Sequence, residues 1–280
     1  WGIGKYANWQ NFIARSESPG IGGNTNTLFS SFRFDNRTSQ LNVAFREVGR
    51  GFNPEVGFLR RTDFTRSFAS ARFSPRPKNS KLVRKYTSLL SYEYYENGAG
   101  NVESRQATGA FNVEFNNSDT FNVEANANYD YLATPFRPNP GSVIPVGGYT
   151  YNDFNVQYNM GSQRRLSGNL NYSMGEYYNG TIRSLTFSQG RYAILKQFSV
   201  EPRLTLTRID IPSGAFTTKQ VGARTDYGFS PRRFISALVQ YSAADHILSS
   251  NLRERGEYSP GSERGVGDTD ERDTTKPGYP

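Results

Sequence analysis

The residue types able to carry covalent or acid/base chemistry are few and scattered along this chain. The single histidine, His246, follows Asp245 and precedes Ser249 and Ser250. A serine hydrolase needs a serine, a histidine and an orienting polar group within hydrogen-bond reach. His246 falls at an expected hairpin tip, however, where a solvated turn residue is the ordinary role. Glu114 and Glu124 are a carboxylate pair of the type used for glycosidic acid/base work, yet both fall on the polar side of alternating strands, where they line water. Thr269 to Asp273 (TDERD) crowds acids, but it has no turn glycine and Arg272 intrudes, so it does not read as a calcium loop. There is no cysteine, which removes disulfides and thiolate metal sites. The expectation is no enzyme: no catalytic residue, no metal and no cofactor.

A second kind of chemistry, the lining of a hydrated passage, is better supplied. The segment Gly51 to Phe64, GFNPEVGFLRRTDF, resists a strand assignment because Pro54 breaks pairing while Gly51 and Gly57 permit tight backbone. Its Glu55, Arg60 and Arg61 are opposite charges close enough to tie a loop down or to line a mouth. Arg46, Glu114, Glu124, Arg203, Arg224 and Asp226 occupy polar positions of strands and are the candidate lining. An excess of arginine there implies a modest anion preference.

The elements that position these residues follow from composition and period. The chain has 280 residues with 18 Tyr and 20 Phe, yet hydrophobic residues reach only 35%. Its mean hydropathy is −0.68. A soluble core needs more aliphatic bulk to offset chain entropy. A curved sheet with one apolar, aromatic-rich face and one wet face suits these numbers. Lys and Arg exceed Asp and Glu by 33 to 25, which is compatible with nucleic acid, anionic headgroups or an anion-lined channel. The basic residues are dispersed and the aromatics alternate away from most charges, so nucleic acid is not an expected partner. The chain begins at Trp1 without a charged-then-apolar leader and reads as a mature segment or a fragment. No apolar run approaches the roughly 20 residues of a membrane helix.

Period two dominates. Phe32 and Phe34 alternate with Ser31, Arg33 and Asp35; Leu41, Val43 and Phe45 alternate with Asn42, Ala44 and Arg46. Further on, Phe121, Val123, Ala125, Ala127, Tyr129 and Tyr131 alternate with Asn122, Glu124, Asn126, Asn128 and Asp130. For Phe115 and Phe121 to face each other the intervening loop must hold an odd number of residues, so a three-residue turn at Asn117 to Asp119 is expected. About fourteen strands result, near the 9 to 11 residues that cross a bilayer when tilted. The longest connections, Gly49 to Thr62 and Ala133 to Gly148, fall at one end of the strands. Tight ones such as Asp35 to Ser39 and Ser230 to Arg233 fall at the other, with Ser74 to Arg84 as the exception. Long loops at one rim and short turns at the other mark an outer-membrane barrel.

GFNPEVGFLRRTDF, the loop ATPFRPNPGSVIPVGG, SPRRFISALVQYSAADHILSSNLR from Ser230 to Arg253, and EYSPGSE with TDERDT near the end together resemble the C-terminal region of a family of uncharacterised bacterial proteins. In that family a carbohydrate-binding-module family-nine-like domain precedes an outer-membrane β-barrel. The resemblance implies a Gram-negative outer membrane and an upstream part, and it brings no established activity. Partners it implies are the lipid bilayer and lipopolysaccharide, the barrel-assembly machinery, and polysaccharide through the upstream domain.

The sequence thus leads to an all-β, antiparallel up-and-down transmembrane β-barrel over residues 1–258. Residues 259–280 are expected as a degraded closing strand or a disordered tail, because Glu254, Gly256, Arg264, Gly265, Gly267 and Asp268 stand where the pattern of the family it resembles has aromatic and aliphatic residues. Function is expected as a pore, transport or surface-binding platform for carbohydrate or other small polar solutes. The competing expectation is a non-membrane β-rich surface adhesion or carbohydrate-binding module.

Overall fold

Alternation of side chains commits the backbone to strands, and strands they are. The computed structural model describes residues 2–55, 57–59, 61–259 and 261–275. In chain order the strands are β1 (Gly2–Ile3), β2 (Ala7–Arg15), β3 (Asn26–Asp35), β4 (Ser39–Val48), β5 (Phe64–Phe73) and β6 (Val83–Asn97). Then come β7 (Val102–Phe115), β8 (Thr120–Leu132), β9 (Phe136–Asn139), β10 (Ser142–Ile144), β11 (Gly147–Met160) and β12 (Leu166–Tyr177). The last six are β13 (Gly180–Ala193), β14 (Phe198–Ile211), β15 (Gly214–Ser230), β16 (Arg233–Ser242), β17 (Ile247–Ser259) and β18 (Ser262–Asp273). Among the described residues there is no helix, and none long and apolar enough to cross a membrane.

Sixteen strands are hydrogen-bonded in sequence order, from β1 to β18, with β9 and β10 forming a separate hairpin. The fourteen expected strands correspond to β2–β8 and β11–β17. The additions escape periodicity for clear reasons: β1 has two residues, β9 and β10 have four and three, and β18 lacks an apolar row. Among the described residues the barrel expected from the sequence is not closed, because no ladder joins β18 to β1, and beyond the short pairing of Gly2 and Ile3 with Asn8 and Ala7 β2 has no outer partner.

Two compact units divide the chain. One comprises Trp1–Val113, Asn122–Phe154 and Gly175–Asn179; the other comprises Glu114–Phe121, Asn155–Met174 and Gly180–Pro280. In the first, directly opposed residues build two distinct faces. Trp9, Phe32, Val43, Ala69 and Tyr92 form one cross-strand row, with Phe34, Leu41, Ala71 and Leu90 beside it. The other face carries Phe29, Arg46, Arg66 and Tyr95 in one row and Ser31, Ala44, Phe68 and Glu93 in the next. The apolar face is the exposed one: on β4, Leu41, Val43 and Phe45 are 41%, 46% and 37% exposed, whereas Asn42, Ala44 and Arg46 are half-buried. A soluble sheet buries the opposite set. The long loops 16–25, 49–63 and 133–146 all follow even strands of this unit, so the rim asymmetry read from the sequence is carried here.

In the second unit, Phe187, Leu204, Val221 and Tyr241 share one face of β13–β16, and Thr205, Gln220 and Ser242 share the other. Residues 262–273, expected as a degraded strand or a disordered tail, pair with β17 from Ser262↔Ser259 to Asp273↔Ile247. Backbone bonds tolerate the charges and glycines that the side-chain pattern argued against.

The β7–β8 turn is held by a buried carboxylate. It occupies Asn116 to Ser118, one residue earlier than expected: Ser118 N–H donates to Phe115 O at 3.1 Å and Phe115 N–H to Asp119 O at 2.9 Å. The three-residue parity is as the sequence required, but the paired residues shift. Asp119, with 0% exposure, accepts Gly161 N–H at 2.8 Å, Tyr158 O–H at 2.5 Å and Asn117 Nδ2–H at 3.1 Å. Arg164 pairs with it at 2.5 Å. This carboxylate thereby ties its own turn to the 161–165 turn. Burial alone would raise its pKa; the Gly161 and Tyr158 hydrogen bonds and the Arg164 charge override that and hold it below the usual carboxylate range.

Replacing Asp119 with Ala should cost about 2 kcal/mol by stranding the Gly161 and Tyr158 donors, read as a fall in the midpoint of thermal unfolding. Because the folded pKa is depressed, Asp119's contribution is present above the unfolded value near 3.9 and fades as pH falls through the lower folded value. Unfolding followed from pH 6 to pH 2 should therefore show an acid loss that Asp119→Asn lacks. In β18, an edge strand, hydrogen exchange over 263–269 should protect alternate amides, those facing β17. Uniformly fast exchange would contradict the pairing.

Candidate functional site

The less exposed, polar face of the first unit holds the densest polar network. Opposed side chains on β7 and β8 bond directly: Gln106 Nε2–H to Asn128 Oδ1 at 2.9 Å, and Thr108 O–H to Asn126 Oδ1 at 2.7 Å. Asp153 on β11 accepts Asn126 Nδ2–H at 2.9 Å and Asn128 Nδ2–H at 2.7 Å. Glu124 accepts from Asn126 Nδ2 at 3.1 Å, and Asp130 accepts Tyr151 O–H at 2.5 Å. Even positions of β8 thus form a continuous polar column because period two places them on one face. On β4–β6 of the same face, the Arg46 guanidinium lies 5.0 Å from the Phe29 ring, and Arg66 pairs with Glu93. The Nε of Arg46 is buried without a hydrogen-bond partner among the described residues.

Above this face, the 49–63 loop is knitted to its neighbours. Gly51 N–H donates to Asn24 O at 2.8 Å, and Asn53 N–H donates to Ser16 Oγ at 2.8 Å. A Cβ at Gly49 would sit 2.1 Å from Asn24 O, so the close approach of the two loops requires glycine there. Glu55, at φ 51°, accepts from Ser18 Oγ at 3.3 Å. Arg61 pairs with Glu103 on β7 and stacks 5.2 Å from Tyr95 and 5.6 Å from Phe64. The expected attraction within the Glu55, Arg60 and Arg61 set is therefore replaced by ties to other segments for Glu55 and Arg61, while Arg60 lies outside the described residues. The 133–146 loop is ordered by its β9–β10 hairpin, with Ile144 fully buried. Tyr149 O–H reaches Pro145 O at 2.8 Å, and Phe136 packs 5.9 Å from Tyr178.

Of the candidate lining residues, Glu55, Arg61, Arg46 and Glu124 fall in the first unit, and Glu114, Arg203, Arg224 and Asp226 in the second. Arg203, Arg224 and Asp226 share one face of β14 and β15. Arg224 Nε–H donates to Asp226 Oδ1 and to Ser236 Oγ, both at 3.1 Å, a local ion pair on a polar surface. Arg66, Glu93, Glu103, Asp130, Tyr151 and Asp153 were missed as site residues. For Asp130 and Asp153 the signal was available, since both stand at polar positions of strongly alternating strands. For Glu103 it was not, because its role depends on a loop that only the fold brings to it. His246, at φ 56° in the 243–246 turn, lies in a hairpin connection as expected. Among the described residues no group of His, Cys, Asp and Glu could hold a metal ion.

No family model matches this chain and no curated protein matches it, so the resemblance to the barrel family rests on the residues quoted for it.

If Arg61 braces the 49–63 loop, Arg61→Ala should destabilise the fold by only about 1 kcal/mol, since the pair is partly exposed. It should also speed chymotryptic cleavage after Phe58, which is 86% exposed. Glu103→Gln should reproduce the effect. Cleavage at the wild-type rate in both variants would show that the loop is held by its hydrogen bonds to 16–24 alone.

Proposed function

We propose that this sheet is the wall of an outer-membrane β-barrel that passes or binds small polar solutes. The observation that carries the reading is the inverted burial on β4–β6, where the aromatic and aliphatic row is the more exposed and the Asn, Arg and Ser row the less exposed. Lipid accepts the first arrangement and water the second. Most strands from β2 to β17 have 9 to 15 residues, enough to span a hydrocarbon layer at a tilt. With sixteen strands in sequential order, the first and last run in opposite directions, as an even antiparallel ring requires. The rim loops act in this reading as a braced mouth, with Arg46 and Arg61 giving it a basic character. The resemblance to the barrel family points to the same membrane and to polysaccharide contact through an upstream domain.

The reading separates from a surface adhesion module by one pair of variants. Val43→Arg places a charge on the exposed apolar face, and insertion into lipid vesicles should fail or weaken by about 2–4 kcal/mol. Asn42→Arg on the other face should insert normally. Equal behaviour of the two, or a wild-type protein that stays monomeric in water without detergent, would favour the module. In planar bilayers the wild type should conduct with a modest anion bias, and reversal potentials showing none would count against the basic mouth.

A further inference from the structure

On the exposed apolar face of the first unit, the central strands carry side chains too small to fill it. The Gln106–Asn128 and Thr108–Asn126 bonds set the register of β7 against β8. On the other face Ala107 therefore lies opposite Ala127, and Gly109 opposite Ala125. Leu90 and Tyr92, 67% and 45% exposed, stand beside them on β6, and a Cβ at Gly109 would meet Leu90 Cδ2 at 3.7 Å. The result is an open trough of about 560 Å³ that runs from these small residues past Leu90 to Ala69 and Ala71 on β5. Towards the long-loop rim the same face changes character. Two residues beyond Ala107, Arg105 is exposed. Its guanidinium lies 5.1 Å from the Tyr129 ring, and its charge acts on the Tyr94 hydroxyl. Tyr92 and Tyr94 stack at 6.4 Å, and Tyr131 on β8 is 49% exposed. Among the described residues no carboxylate pairs with Arg105: Glu103 is taken by Arg61, and Glu96 accepts Tyr94 O–H at 2.9 Å.

We infer that β6–β8 hold one anionic phospholipid on this face, with its phosphate at Arg105 between Tyr94 and Tyr129 and an acyl chain in the trough. The site rests on the membrane-wall reading, which puts lipid against this face, and adds to it a position and a headgroup. Ala107 and Gly109 stand near the middle of β7, at the depth of the hydrocarbon layer, where a depression lined by methyl groups forfeits its dispersion contacts unless a chain lies in it. A tyrosine-flanked arginine nearer the rim matches the interfacial level at which aromatic girdles sit. A guanidinium meets phosphate through two parallel N–H···O bonds, and Arg105 is accessible and without an anion of its own. From Arg105 to Gly109 the strand rises about 13 Å, so the headgroup and the upper part of its acyl chain are engaged together. A free phosphate leaves the trough empty, and a zwitterionic headgroup brings its own cation beside Arg105.

Native mass spectrometry of the full chain in a neutral detergent, with phosphatidylglycerol, phosphatidylcholine or inorganic phosphate added, tests the site. One phosphatidylglycerol is expected per chain, bound about tenfold tighter than phosphatidylcholine, and no inorganic phosphate. Arg105→Gln should remove the preference and leave phosphatidylcholine binding unchanged. Ala127→Leu, which fills the trough, should weaken both lipids about fourfold or more, the equivalent of at least one lost methylene contact. Arg183→Gln, at an exposed arginine of the second unit, should change neither. Both site variants are to insert into vesicles as the wild type does. Equal binding of the two lipids by the wild type, binding indifferent to both Arg105→Gln and Ala127→Leu, or a dimer in place of the bound lipid would overturn the assignment. The site and the wall fail separately. Insertion with no lipid retained removes the site and keeps the wall, whereas one tightly bound phosphatidylglycerol on a chain that does not insert keeps the site and removes the wall.

Discussion

Everything in this protein depends on the antiparallel hydrogen-bond ladder, which satisfies the backbone between neighbouring strands and leaves the side chains free to make two unlike faces. A helix can bury its own backbone wherever its surface faces; a strand needs its neighbours. Here, apart from the separate β9–β10 hairpin, the strands are bonded to their neighbours in chain order, so the polar groups of the main chain are answered largely by local hairpins. That is why an exposed apolar row does not have to be compensated by a conventional core.

The two faces then divide the work. On β4–β6 and on β8 the less exposed face collects amides, carboxylates and guanidinium groups, and the more exposed face collects Phe, Tyr, Val, Leu and Ala. Interior polar networks are costly when half-satisfied. The chain of bonds from Thr108 and Gln106 through Asn126 and Asn128 to Asp153 leaves few loose ends. Among the described residues, the Nε of Arg46 on the same face is buried without a hydrogen-bond partner.

The connections are as ordered as the strands. At one end, Gly49 and Gly51 let the 49–63 loop lie against 22–26, and Arg61 reaches across to Glu103 and Tyr95. Around the β7–β8 turn, Asp119 gathers Gly161, Tyr158, Asn117 and Arg164 around one carboxylate. A buried anion of this type is tolerated because donors surround it, and it fixes two turns whose strands are separated by a long connection in sequence.

Period two was legible in the residues, and with it the all-β class, fourteen of the strands, the odd loop parity at Phe115 and Phe121, and the polar column of β8. These are local properties: each depends only on which residues alternate and how many separate two runs. The position of the β7–β8 turn was off by one residue because Asp119, which fixes it, takes its partners from residues some forty positions later. The pairing of β18 was hidden because its backbone bonds take no account of its charges. The partners of Glu55 and Arg61 were likewise decided by loop packing, in which Ser18 and Glu103 approach only after the strands have assembled. Sequence spacing sets which face a side chain occupies; only the tertiary structure sets which other side chain stands beside it, because that depends on contacts closed across long stretches of chain.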